Sequence, residues 1–171
     1  MGELLYLKAK VKKMTAIAVR DITINDVAQY FLSKESMTHK KLQKLSYYAY
    51  AWNLTLHNDF LFEDKFQAWI HGPVAPNLYQ DYKAYGWNNI PQVDAIPASI
   101  EENERVKNVL ELVYTSYGDF DGDELEFLTH QEAPWINARI GLADHAPSNN
   151  ELSDDVIKMY YFNVFENGQN I

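Results

Sequence analysis

The sequence predicts an all-α fold: a compact single-domain helical bundle with at most a small two-stranded element. Three observations lead to it. Apolar residues recur at helical spacing in several separate stretches, most clearly Leu42, Leu45, Ala49, Trp52 and Leu56, at steps of three, four, three and four. Capping residues such as Thr23, Thr38 and Ser99 stand just ahead of such stretches, and Gly86, Gly118 and Gly141 stand at their ends. Extended segments are few and short, with Phe60–Phe62 and residues 65–70 the main ones. With 171 residues and 47% hydrophobic content, one domain can bury a full core.

Taken in order, residues 1–13 are basic and weakly periodic, and Met14 is a candidate initiator. Residues 1–23 therefore read as an N-terminal extension and 24–165 as the domain. Thr23 with Asp26 three residues on starts a helix whose face carries Val27, Tyr30 and Phe31, ending over Ser33–Ser36. Thr38 caps the strongest helix. Lys40, Lys41 and Lys44 lie off its apolar seam near the N-terminus, where cations oppose the helix dipole, so an outside partner is expected for them. Tyr47, Tyr48 and Tyr50 widen the seam as packing residues.

His57-Asn58-Asp59 reads as a turn. At Gly72-Pro73 the chain must bend sharply after His71, since Pro73 pushes Gly72 out of the helical region. Pro76 then suits the first turn of a helix carrying Leu78, Tyr82 and Tyr85. Trp69 reads either as a core plug or as a displayed anchor. Residues 87–97, with Pro91 and Pro97, read as a loop. Ser99 and Glu102 form a predicted capping box for a helix with Val106, Val109, Leu110, Val113 and Tyr117 on one side. Shorter helices follow around Leu125 and Leu128, from Pro134 to Gly141, and from Ser153 through Val156, Ile157, Tyr160 and Tyr161.

Composition narrows the function. No run approaches the roughly eighteen apolar residues of a membrane span, and no secretory signal is evident at the start, so a cytoplasmic protein is expected. Cysteine is absent, which removes thiol nucleophiles, disulfides and zinc–thiolate sites. A net charge of −9 opposes general nucleic-acid binding. The charge is also graded: residues 1–50 hold nine Lys and Arg against four Asp and Glu, and residues 51–171 hold six against twenty. Two faces that attract each other, or a complementary protein partner, both account for that split.

Catalytic signatures are incomplete. Asp119–Glu124 lacks the glycine and glutamate positions of a calcium loop, and an acidic helix start is explanation enough. His130-Gln131-Glu132 resembles half of a zinc deaminase motif whose other half needs a cysteine pair. A metal-dependent or acid–base hydrolase using His71, His130 and Glu132 is the alternative reading, and it requires those side chains to converge. No cofactor or metal is expected.

Three blocks resemble one family. They are residues 41–52 (Lys-Leu-Gln-Lys-Leu-Ser-Tyr-Tyr-Ala-Tyr-Ala-Trp), 68–79 (Ala-Trp-Ile-His-Gly-Pro-Val-Ala-Pro-Asn-Leu-Tyr) and 128–135 (Leu-Thr-His-Gln-Glu-Ala-Pro-Trp). Their order and spacing are similar to the Panacea domain of SocA-like antitoxins and GepA-like phage-associated proteins, over roughly residues 24–162. Leu42, Leu45, Tyr48 and Trp52 match in the first block; Trp69, Gly72, Pro73, Val74, Leu78 and Tyr79 in the second; Leu128, Thr129, His130, Glu132, Pro134 and Trp135 in the third. His71 stands where the family commonly has an aromatic. The resemblance implies a mainly helical domain, chromosomal or prophage-borne, that neutralises a cognate protein toxin. In the SocA type this proceeds by delivering the toxin to the ClpXP protease. It implies no enzyme activity. Partner contacts are expected at Lys40, Lys41, Lys44, Trp69, His71, Tyr79 and Trp87, because aromatic side chains dominate binding hot spots and charges orient the encounter.

Overall fold

Thr38 accepts a hydrogen bond from the backbone N–H of Lys41, and the helix it opens is the axle of the molecule. A computed structural model describes residues 22–168. The proposed Met14 start and most of the extension lie outside them. Among the described residues there are eight α-helices: α1 Ile24–Lys34, α2 His39–His57, α3 Pro76–Tyr82, α4 Ala98–Glu101, α5 Glu104–Tyr117, α6 Gly122–Thr129, α7 Ala133–Ala138 and α8 Asp154–Glu166. A 3₁₀ turn, Lys83–Tyr85, continues α3. Strands β1 Met37–Thr38 and β4 Asn89–Ile90 pair antiparallel, as do β2 Gln67–Trp69 and β3 Gly72–Val74. The fold is mostly α, with a second strand pair beyond the one predicted. No helix among the described residues is long and apolar enough to cross a membrane.

Every residue of α2 from Lys41 to Leu54 is buried, because α1, α3, α5, α6 and α8 surround it. The narrow seam read from the sequence is one stripe of a helix enclosed on all sides, and Leu56 is its partly exposed outer end. Tyr47, Tyr48, Tyr50 and Trp52 fill the interior: the Tyr48 ring stacks on Tyr117 at 3.9 Å, and the Trp52 indole N–H donates to the Tyr117 hydroxyl at 3.1 Å. Burying aromatic rings of this size supplies much of the core's cohesion, and paired rings add about 0.5–1.5 kcal/mol each.

The lysines at the start of α2 have partners inside the chain, contrary to the outside partner predicted for them. Lys41 donates to Glu35 at 2.7 Å and to the Gly118 carbonyl at 2.6 Å. Lys40 pairs with Asp123 and Glu126 on α6. Gly122 allows that approach, since a Cβ there would lie 3.2 Å from Lys40 side-chain atoms and from the Lys41 nitrogen. Elsewhere the caps follow the sequence at α1, where Thr23 and Asp26 form a capping box, and at α8, capped by Ser153. The predicted box at Ser99 does not form. Pro97 precedes the one-turn helix α4, and Asn103 caps α5 instead. The stretch read as a loop after Trp87 contains β4, which holds it against β1.

Candidate functional site

Residues 65–79 build the feature that stands out from this scaffold. β2 and β3 form a hairpin with Ile70 and His71 at its tip, and the left-handed backbone step falls on Gly72, at φ 98°. Glycine is needed there for space as well: a Cβ would lie 2.6 Å from Lys44 Cε and 2.8 Å from Thr129 Oγ1. The hairpin therefore rests directly on α2 and α6. Gln43 closes one edge by accepting from the Ala75 N–H at 2.9 Å and donating to its carbonyl at 3.2 Å. On the other side, Arg139 donates to the Ala68 carbonyl at 2.8 Å and also binds the carbonyls of residues 143, 144 and 146. The Trp135 indole donates to the Trp69 carbonyl, and the Asn150 carbonyl accepts from the Ala68 N–H. The hairpin is held from both sides, yet its tip reaches solvent, with the His71 side chain 64% exposed.

Three depressions meet at this tip, and His71 lines each. The first, of about 360 Å³, brings together Lys40, Lys44, Trp69, His71, Tyr79 and Trp87, six of the seven residues singled out in the sequence. Lys41 is not among them, because its ammonium is turned inward to Glu35 and Gly118. Trp69 is neither plug nor free: half-buried, it meets Tyr79 edge-on at 5.0 Å and donates to Gln67. Trp87 on the facing wall is 82% exposed. His39, Gln43, Val74, Lys83 and Gly86 complete the lining. Nothing in their local spacing marks them, since their neighbourhood is created by α2 passing under the hairpin and α3.

Lys44 forms part of the floor. It is fully buried, and its ammonium has one polar partner, the Pro73 carbonyl at 3.2 Å. Burial disfavours its charge and brings its pKa down to about 7, although the field of Glu126 opposes the change. Burial also lowers the His39 pKa, with the Lys44 charge adding to the effect.

The second depression, of about 640 Å³, is lined by His71, Glu126, His130, Trp135 and Arg139 among others. His71 Nδ1 lies 3.0 Å from Glu126, and His130 stacks on Trp135 at 3.9 Å. Glu132 does not join the two histidines. It is buried beneath them and accepts hydrogen bonds from the hydroxyls of Tyr48 at 3.1 Å and Tyr161 at 2.6 Å. Burial raises its pKa to about 7, against the pull of those two hydroxyls. The third depression, of about 530 Å³, has Trp69, Ile70 and His71 on one side and residues 147–149 on the other. Among the described residues no three His, Asp or Glu side chains are grouped as a metal site needs.

The family model of the antitoxin SocA-like Panacea domain matches residues 42–136, more than half of the chain, from the first turn of α2 into α7. The chain belongs to the SocA-like Panacea family. Comparisons with curated proteins and with solved structures give no match. The matched Panacea segment holds the whole hairpin, its supports Gln43, Lys44 and Thr129, and the clamping Trp135. Glu132, within the same segment, belongs to the interior of the Panacea domain rather than to its surface.

Proposed function

We propose that this protein is an antitoxin that acts in the cytoplasm by binding a cognate protein toxin on the surface around the Ile70–His71 tip. Membership of an antitoxin family supports the general role. The observation that supports the location is the meeting of three depressions at the tip of a hairpin clamped on both edges. A rigid projection flanked by clefts offers a partner shape without the ordering cost that a mobile loop would impose. Trp69, Tyr79 and Trp87 supply the aromatic area that dominates hot spots, while Lys40, Lys44 and His71 supply polar groups beside it. Delivery of the bound toxin to the ClpXP protease is the finer form of the same reading.

The test is co-expression with the toxic product of a neighbouring gene. Growth is restored and the two proteins co-purify, and Trp69→Ala together with Trp87→Ala abolishes both effects. Repeating the rescue in cells without the ClpP subunit separates the two routes: rescue persists for simple sequestration and disappears for delivery to the protease. Failure to rescue from, or to bind, any neighbouring toxic product contradicts the proposal.

A further inference from the structure

Apart from the Tyr79 phenol, the ionisable groups lining the Trp69–Trp87 cleft are nitrogen bases, in a chain whose net charge is −9. Lys40 is already engaged by Asp123 and Glu126 behind the wall. His71 lies 3.0 Å from Glu126 through its Nδ1. Among the described residues the remaining three meet no carboxylate: Lys83 meets the Gln80 amide, Lys44 meets one backbone carbonyl, and the buried Nδ1 of His39 has no hydrogen-bond partner. Beside these nitrogens stand the faces of Trp69, Tyr79 and Trp87, so the cleft offers donors and apolar walls together.

From this we infer that the cleft receives an acidic side chain of the partner protein, an Asp or Glu carried next to an aromatic or aliphatic residue. The inference rests on the toxin-binding reading and adds the chemistry of the contact. A cationic guest is disfavoured despite the aromatic walls, because it would meet the exposed Lys83. A purely apolar guest would cover the exposed Lys83 ammonium and leave donors without acceptors, which costs free energy. A carboxylate satisfies them through charge-assisted bonds, and an adjoining apolar group takes the aromatic surface.

The test uses the full chain alone and then with its toxin. Phenylacetate, phenylacetamide and phenethylammonium share a ring and differ in charge. Titrated at low salt, phenylacetate is expected to move the indole N–H resonances of Trp69 and Trp87 and to bind about fivefold more tightly than the amide, with the cation weakest. Lys83→Glu removes the preference for the anion, and Trp87→Ala weakens all three probes. Both sites are exposed, so melting temperatures stay unchanged. Equal affinity for the three probes, preference for the cation, or no indole shift with any of them overturns the inference. If phenylacetate binds selectively but no toxin is bound, the toxin-binding reading fails and the chemistry of the cleft stands. If the toxin binds equally well to Lys83→Glu and wild type, the chemistry fails and the antitoxin reading stands.

Discussion

Gly72 sits where two constraints coincide. Its φ of 98° is costly for any side chain, and a Cβ would press on Lys44 and Thr129. Gly72→Ala is therefore expected to cost about 3 kcal/mol of stability, read by urea denaturation, with the hairpin displaced from α2 even where the variant folds. Glu132 gives a prediction in pH. Its folded-state pKa is raised from 4.5 to about 7, so the folded protein holds the neutral acid more firmly than the unfolded chain does. That contribution is complete below pH 4.5 and is lost as pH rises through about 7, an effect on the order of 3 kcal/mol. Glu132→Gln keeps a neutral group in place and should flatten the stability profile over that window relative to wild type. A steeper fall in the variant would show that Glu132 is ionised in the folded state. Lys44 has the opposite sign: its pKa lies below the unfolded 10.5, so its stability is present above that pH and is lost as pH falls through about 7.

At the scale of elements, α2 was legible as a helix and illegible as a core. Periodicity reports the stripe with the strongest contrast, and Leu42, Leu45, Ala49 and Trp52 gave that contrast. It cannot report that Lys41 and Lys44 are buried too, since the carbonyls that their amines reach, on Gly118 and Pro73, are far away in sequence. Ser99 misled for a related reason. Pro97 starts a single turn there, and Asn103 wins the cap of the longer helix by accepting from the Val106 N–H. Caps that did form can be tested. Asp121 receives the Asp123 and Glu124 N–H groups at 2.9 Å, so Asp121→Ala should cost about 1 kcal/mol in thermal or chemical unfolding. Trp52→Ala removes a fully buried ring and leaves the Tyr117 hydroxyl without its donor, for a loss of about 3–5 kcal/mol. A loss below 1 kcal/mol would mean that α2 is not the axle described above.

Across the whole molecule, part of the charge gradient of the sequence becomes internal pairing among the described residues. Lys34 meets Glu111, and Lys40 meets Asp123 and Glu126. What remains for a partner is local: a clamped hairpin tip, aromatic walls and a few bases. Six of the contacts expected from the sequence fall in one cleft because the second family block contributes Trp69, His71 and Tyr79 together. Their convergence with Lys40, Lys44 and Trp87 depends on α2 and on β4, whose short pairing with β1 follows the residue at the rim. Proximity of that kind has no local signal. Other exposed aromatics lie elsewhere, on α8, where Phe165 is 53% exposed, and they provide the control the account needs. The decisive measurement is the affinity of the purified protein for the toxin encoded beside it, in wild type, Trp87→Ala and Phe165→Ala. Trp87→Ala is expected to bind at least about tenfold more weakly and Phe165→Ala to change binding by no more than about twofold, at unchanged melting temperatures. Equal binding by Trp87→Ala and wild type, with binding lost in Phe165→Ala, would place the partner on α8 and contradict binding at the hairpin tip.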